Sequence, residues 1–110
     1  MITDWQKPWG LVKIFMVINN SATGLSKNVT ITNPLGLHAR SAAKIAKLVK
    51  KARSKVWIIK DKDKADASKI IDILSLAGIK DSKLTLLIDD PSDIDILNDL
   101  AQLIENGFGE

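Results

Sequence analysis

His38 stands in a sequence context that suits chemistry on a phosphoryl group. It is the single histidine of the chain, it lies between Gly36 and Arg40, and it precedes a segment with helical periodicity. A helix start presents main-chain N–H groups without intrahelical acceptors and a partial positive charge, and both stabilise a bound anion. A neutral imidazole is a nucleophile that can take up a phosphoryl group and release it. Arg40 would add a guanidinium fork that matches phosphoryl oxygens, and Gly36 would permit close approach of the main chain.

The same residues also have an ordinary structural explanation. A lone histidine is usually a surface or structural residue, and the pattern Gly-x-His-x-Arg arises often by chance. The spacing makes phosphoryl chemistry a hypothesis, and the residues by themselves leave both interpretations open.

The composition excludes several other classes of site. The chain has no cysteine, so disulfides, thiolate nucleophiles and sulfur-ligated zinc are ruled out. One histidine and scattered aspartates give no metal-ligand cluster, and no glycine-rich nucleotide loop is present, so neither a metal nor another cofactor is expected. With 45% hydrophobic and 26% charged residues among 110, the composition is that of a soluble globular protein with one core.

The chain divides near Lys27. Residues 1–27 hold two of the three tryptophans and end in an Asn/Ser/Gly-rich stretch that is typical of a linker. The apolar run 11–18 is too short to cross a bilayer and lacks the flanks of a signal peptide. We therefore expect an extension of unknown role over 1–27, one domain over 28–110, a cytoplasmic location and no membrane contact.

Two amphipathic helices are indicated by apolar residues at i, i+3, i+4 and i+7. Their core-facing residues are Ala42, Ile45, Ala46 and Val49 in the first and Leu97, Leu100, Ala101 and Ile104 in the last. Asp90 followed by Pro91 is a typical start for the last helix, and Gly107 is a typical end. A shorter helix over 70–77 would be capped by Ser68 and closed by Gly78.

Strands are predicted over 29–32, 55–60, 64–67 and 83–88, from alternating or β-branched residues. The resulting order is strand, helix, strand, strand, helix, strand, helix. This order favours an α+β sandwich in which helices cover one side of a single sheet. The patterns leave the order of the strands within the sheet open.

Three stretches of the chain resemble one known family. The segment 36–43, Gly-Leu-His-Ala-Arg-Ser-Ala-Ala, is similar to the active-site signature Gly-Leu-His-Ala-Arg-Pro-Ala of HPr proteins, the histidine phosphocarriers of the bacterial phosphotransferase system. Residues 67–77 resemble the second helix of that family, and residues 103–110 resemble its C-terminal ending. The resemblance covers residues 28–110.

The resemblance implies both a fold and a role. The fold would be an open-faced β-sandwich of four antiparallel strands with three helices on one face. His38 would accept a phosphoryl group on Nδ1 from enzyme I, itself charged by phosphoenolpyruvate, and pass it to an enzyme IIA-type protein. Ala39 and Arg40 would bind the phosphate. The protein would be a carrier and not an enzyme.

The resemblance also implies a partner surface around His38. Phosphotransfer between two proteins requires an open, complementary surface at the histidine. The positions that would contact partners are Leu35, Lys47, Lys50, Ile71 and Leu74. For each position, an ordinary role in the core or on the solvated surface is an equal alternative. We expect a monomer.

Two residues depart from the family pattern. Ser41 stands where most HPr proteins have proline, which would relax the local backbone while still allowing a serine cap. Lys69 occupies the position of a serine that a dedicated kinase phosphorylates in many relatives, so that regulation is not expected. Ser68 lies one position earlier. It is either a displaced target of that kinase or a helix cap, and a cap is the usual role of a serine just before a helix.

Two rival functions remain at this point. One keeps the fold and changes the pathway: a regulatory HPr paralogue in a nitrogen-related or dihydroxyacetone kinase phosphorelay. The other is a small basic nucleic-acid-binding module built on six cations, which are Lys44, Lys47, Lys50, Lys51, Arg53 and Lys55. No RNP-like or helix-turn-helix signature accompanies these cations and aspartates offset them elsewhere, so no nucleic acid is expected as a partner.

Overall fold

The computed structural model describes residues 25–110. Its strands are β1 (Ser26–Thr30), β2 (Val56–Lys60), β3 (Asp63–Asp66) and β4 (Lys83–Ile88). Its helices are α1 (Ala39–Val49), α2 (Ile70–Ser75) and α3 (Ile94–Glu105), with 3-10 turns at Pro91–Asp93 and Gly107–Gly109. Residues 1–24, which make up most of the expected extension, lie outside the described residues. The first strand begins three residues earlier than expected, ahead of the boundary placed at Lys27.

The four strands form one antiparallel sheet in the order β1-β4-β2-β3. Leu87 of β4 lies opposite Ser26 of β1 on one side and Trp57 of β2 on the other, and Trp57 in turn lies opposite Asp66 of β3. Alternate strand residues are buried, and they form a single core cluster with the apolar residues of the three helices. The predicted α+β fold, an antiparallel sheet with helices packed on one face, is confirmed.

The apolar stripes of α1 and α3 lie in this core as predicted. The buried helix residues are Ala42, Ile45, Ala46 and Val49 of α1 and Leu97, Leu100, Ala101 and Ile104 of α3. Each large aliphatic side chain removed from water in this way contributes about 1.5–3 kcal/mol to folding. Neither helix, nor any other within residues 25–110, is long and apolar enough to cross a membrane.

The predicted cap of α2 is wrong. The N-cap residue is Lys69, and no side chain caps it. Ser68 instead donates both its main-chain N–H and its hydroxyl to Asp66 Oδ1, at 2.9 and 2.6 Å. The buried carboxylate of Asp66 needs hydrogen-bond donors, and Ser68 supplies two of them rather than serving the helix.

The prediction that Gly78 ends α2 is also wrong. The reason is a contact between Gly78 and the loop before α1, which leads to His38. The residue with positive φ after α2 is Ala77, at 52°. A Cβ at Gly78 would lie 2.8 Å from the side chains of Ile31 and Leu37, so this position requires glycine. The Gly78 carbonyl accepts the Leu37 N–H at 2.9 Å. Gly36 adopts a φ of +63°, and a Cβ there would lie 2.4 Å from the Gly78 oxygen. The two glycines thus allow the loops before α1 and after α2 to pack main chain against main chain, and the close approach predicted for Gly36 is confirmed.

The C-terminal turn is fixed against α1. Gly107 has a φ of +66° directly after α3, which confirms it as the predicted helix end. The side chain of Phe108 is buried in the core, and its carbonyl accepts a hydrogen bond from Lys44 Nζ of α1 at 2.6 Å. These contacts carry Glu110 to the N-terminal end of α1.

Candidate functional site

His38 is the N-cap residue of α1. Its extended main chain, with φ −131° and ψ 179°, lets the side chain fold back over the first turn, where Nδ1 accepts the Arg40 N–H at 3.2 Å. The imidazole is 23% exposed, so one side of the ring is packed and the other is open to solvent. The structure therefore places His38 where the sequence predicted it, at the positive end of a helix and accessible from outside.

The second ring nitrogen of His38 is held by a carboxylate. His38 Nε2 lies 2.5 Å from Glu110 Oε2, and the other oxygen of Glu110 accepts Asn33 Nδ2 at 3.0 Å. Asn33 is buried and its Nδ2 also donates to the Gly36 carbonyl at 2.9 Å. The hydrogen bond from Asn33 lowers the pKa of the Glu110 carboxyl, burial acts against it, and His38 and Arg40 lower it further. Glu110 is thereby kept ionised beside the ring.

This arrangement determines which nitrogen of a neutral His38 ring carries the proton. An ionised carboxylate only accepts hydrogen bonds, so the proton of a neutral His38 ring belongs on Nε2, facing Glu110. The lone pair then lies on Nδ1, which faces the main-chain amides at the start of α1. Nδ1 is consequently the unprotonated nitrogen of a neutral ring, and it lies at the place where an anion would meet the helix dipole.

Glu110 and Asn33 were not identified from the sequence as site residues. Glu110 is 72 positions from His38 along the chain, and no periodicity or spacing pattern links residues so far apart. Only the similarity of residues 103–110 to the ending of HPr proteins pointed to that segment, and it gave no role to any residue in it.

Ser41 caps the same helix turn from the inside. It is fully buried, and its Oγ accepts the His38 N–H at 2.9 Å, which with the His38 side chain forms a capping box. Oγ also lies 3.1 Å from the carbonyl oxygens of Gly36 and His38. The expected serine cap is confirmed, and the turn is tied by hydrogen bonds where proline would have restricted it covalently.

Arg40 and Ala39 occupy the first turn of α1 beside the ring. Both are exposed, and Arg40 directs its main-chain N–H to Nδ1 while its positive charge helps to lower the pKa of Glu110. The amides of a first helical turn have no intrahelical acceptors, so they can donate to an anion on Nδ1.

The predicted partner positions differ in exposure. Leu35 is 64% and Ile71 is 76% exposed, so the alternative that Leu35 folds onto the core is wrong. Lys47 and Lys50 are exposed on α1, whereas Leu74 is half-buried and packs against the core. A groove between α1 and α2 is lined by the residues Ala43, Ala46, Lys47, Lys50, Ser68, Lys69, Ile70, Ile71 and Asp72.

Ile79 is the most exposed of the large apolar described residues that the sequence did not single out. Ile79, in the loop that packs against Gly36, is 70% exposed. It follows the contact between the two loops and extends the apolar surface on that side of the molecule. Among the described residues, no group of three or more histidine and carboxylate side chains could hold a metal ion.

Comparison with known proteins places this geometry in a family. A family model described as the phosphorylation site of the PTS HPr component matches residues 25–106, from β1 to the end of α3. The phosphocarrier protein HPr of Cupriavidus necator is 37% identical over 86 residues, which cover 78% of this chain and 97% of that protein. The phosphocarrier protein NPr of Shewanella violacea is 38% identical over 65 residues, covering 59% of this chain and 71% of that protein.

A solved structure shows the same fold. The crystal structure of HPr from Bacillus anthracis matches with a TM-score of 0.68 and 28% identity, over 73% of this chain and 95% of that one. Agreement in sequence and in three dimensions thus extends over nearly the whole length of the relatives. The chain belongs to the HPr family, the phosphocarrier proteins of the bacterial phosphotransferase system.

Proposed function

We propose that His38 is the phosphoryl acceptor and that Nδ1 is the atom phosphorylated. The single observation that carries this proposal is the orientation of the ring, with Nδ1 facing the first-turn amides of α1 and Nε2 facing the Glu110 carboxylate. The protein is a phosphoryl carrier and not an enzyme, and enzyme I and enzyme IIA-type proteins are the partners that its family implies.

The transfer step uses groups already in place. The Nδ1 lone pair attacks phosphorus, the bond between phosphorus and the donor's leaving atom breaks, and its electron pair stays with the donor. Nε2 keeps its proton, directed at Glu110, so the ionised carboxylate stabilises the positive charge that develops on the ring. Transfer onward is the same step in reverse, with the electron pair of the P–N bond returning to Nδ1.

The phosphoryl oxygens are held by the start of α1. Once Nδ1 is bonded to phosphorus it no longer accepts the Arg40 N–H, which becomes available to a phosphoryl oxygen. The Ala39 amide lies in the same turn, and the Arg40 guanidinium can reach the group from the exposed side. Each charge-assisted hydrogen bond of this kind contributes about 1.5–3 kcal/mol.

Partners dock, in this proposal, on the exposed surface next to the ring. Leu35 and Ile71 offer apolar contact, Lys47 and Lys50 offer positive charge to acidic partners, and Leu74 supports the α2 side from its half-buried position. Lys69 cannot accept a phosphate, so regulation by a serine kinase at that position is absent from the proposal. The expected monomeric state stays a prediction.

A second candidate pathway is favoured by one observation. The phosphocarrier protein NPr of Shewanella violacea is 38% identical over 65 residues, against 37% over 86 residues for HPr of Cupriavidus necator. The nitrogen-related branch is therefore the alternative assignment. A comparison of phosphorylation rates with the enzyme I of each branch from one bacterium would distinguish the two.

The nucleic-acid-binding module gains no support from the described contacts. Lys44 is bonded to the Phe108 carbonyl, and Lys55 pairs with Asp66 at 2.8 Å. Two of the six cations that defined that alternative are thus engaged within the domain.

The decisive experiment is phosphorylation by enzyme I and phosphoenolpyruvate, measured as the mass of the intact protein. We expect the wild type to gain one phosphoryl group, which is labile in acid and stable in base, and His38→Ala to gain none while keeping its circular dichroism spectrum. Nitrogen chemical shifts of the phosphorylated ring identify the bonded atom. Label persisting in His38→Ala would contradict the residue assignment, and label on Nε2 would contradict the atom assignment.

A further inference from the structure

The side chain of Ser41 forms a link between the His38 loop and α1. Its hydroxyl accepts the His38 N–H and is within 3.1 Å of the Gly36 carbonyl, although the residue is completely buried. A buried polar group is costly unless it is hydrogen-bonded, so this hydroxyl and its partners depend on each other. Removing the hydroxyl would leave the His38 N–H buried beside a small cavity.

The main-chain amide of Ser41 faces the same ring. In the capping box this amide is directed at the His38 side chain, next to the Arg40 N–H that bonds Nδ1. Both amides therefore point to the position that a phosphoryl group on Nδ1 would occupy. A proline here, as most HPr proteins have, supplies neither a hydroxyl nor an N–H.

We propose that Ser41 is a positioning and phosphoryl-binding residue, whose hydroxyl fixes the main chain of His38 and whose amide donates an additional hydrogen bond to the phosphoryl group. The inference rests on the proposed phosphorylation of His38 and goes beyond it, because it assigns this chain a tighter hold on the phosphoryl group than proline would give at the same position.

An equilibrium competition tests this role without depending on docking rates. Wild type labelled with ¹⁵N and an unlabelled variant are mixed in equal amounts with a catalytic quantity of enzyme I and limiting phosphoenolpyruvate. Enzyme I exchanges phosphoryl groups between the two proteins until their shares are constant, and intact-mass spectrometry measures both shares. The ratio reports the stability of the phosphorylated form, which a residue that only supported folding would not change.

Three variants separate the two contributions of Ser41. Ser41→Ala keeps the amide and loses the hydroxyl, and we expect its phosphoryl share to fall about threefold, the effect of one neutral hydrogen bond. Ser41→Pro loses both groups, and we expect a fall of about thirtyfold, because the loss of one charge-assisted hydrogen bond, about tenfold, adds to the effect of losing the hydroxyl. Ser75→Ala is the matched control, since it removes a hydroxyl that donates to the Asp72 carbonyl within α2, and its share should equal that of wild type.

Each outcome decides the matter. Equal shares for Ser41→Pro and Ser41→Ala would overturn the role of the amide, and equal shares for Ser41→Ala and wild type would overturn the role of the hydroxyl. Thermal unfolding checks that each variant is folded, as expected for Ser41→Pro because most HPr proteins have proline at this position. A wild type that takes no label from enzyme I would instead overturn the proposed function, and the present inference with it.

Discussion

The starts of α1 and α2 differ in how they are built. At α1, the N-cap side chain, a buried serine and a carboxylate from the C-terminal turn converge on the first turn. At α2, the N-cap is Lys69 with no side-chain cap, and the nearest serine is bonded to Asp66 instead. Two of the exposed residues there, Ile70 and Ile71, are apolar, and Ile71 is the more exposed.

Under the proposed function, the difference means that a helix start becomes an anion site only when other side chains organise it. Both helices have first-turn amides without intrahelical acceptors, since this follows from helix geometry alone. Only α1 combines those amides with a fixed nucleophile and with a carboxylate that assigns its proton. The start of α2 has instead a lysine and an apolar surface, which suit contact with a protein.

The largest expected effect comes from the guanidinium at α1. Arg40→Ala removes a cation from the phosphoryl site, and we expect phosphoryl transfer from enzyme I to slow by about tenfold to hundredfold, because charge-assisted bonds to the phosphoryl group are lost. Rapid-quench kinetics measure the rate, and the phosphoryl share of Arg40→Ala in the competition assay should fall for the same reason. Lys69→Ala, which removes a cation from the start of α2, is the control and should leave the phosphoryl share in the competition assay unchanged. Equal effects of the two substitutions would erase the contrast between the helix starts.

A smaller effect, on stability, is expected at the α2 side. Burial alone would raise the pKa of Asp66, but hydrogen bonds from Lys55 and Ser68 outweigh it and lower the pKa from 3.8 to about 2. Because the folded-state pKa is depressed, the stabilisation is present above pH 4 and is lost as the pH falls through about 2. Asp66→Asn should therefore reduce the free energy of unfolding at pH 7 by roughly 2 kcal/mol, with the difference disappearing at acid pH.

Urea unfolding between pH 2 and pH 7 checks this expectation. Asp61→Asn is the control, because the Asp61 side chain is 85% exposed and its pairing with Lys60 at 3.7 Å is a surface contact. A pH-independent difference for Asp66→Asn would show that the ion pair with Lys55 is not its cause.

The smallest expected effect concerns docking at α2. Ile71→Glu places a charge on a side chain that is 76% exposed, so the fold should persist. We expect the KM of enzyme I for this protein to rise about tenfold, the effect of losing one buried aliphatic contact in the complex, with no change in the phosphoryl share. Ile94→Glu at the start of α3 is the matched control. A KM equal to that of wild type would remove Ile71 from the partner surface.

Most of the fold could be predicted because its signals are local. The stripe from Ala42 to Val49 and the stripe from Leu97 to Ile104 repeat with the helical period, and Gly107 follows the second directly. His38 and its neighbours could be proposed as a site for the same reason, since histidine, helix start and guanidinium lie within a few positions of one another.

The rest depends on contacts between distant segments. Ser68 is a residue type that often caps a helix and it lies at the right position, but it is hydrogen-bonded to the buried Asp66 instead. Gly78 is a residue type that often ends a helix, but here it allows close contact with Gly36. Glu110 comes to the ring only because the sheet and α3 return the chain to the start of α1. Tertiary structure overrides local preference in such cases, and no window of sequence contains the competing partner.

The hydrogen bond between Glu110 and His38 has a kinetic consequence. It joins residues that are 72 positions apart. The loss of chain entropy on closing this loop must therefore be overcome before the Glu110 carboxylate contacts the His38 ring. A nascent or partly unfolded chain can form α1 with a histidine at its tip, but without the distal half it has no group to select the ring tautomer. In this proposal the ring tautomer is therefore selected late in folding, and fraying of the turn after α3 would release the ring from Glu110 before the helices melt.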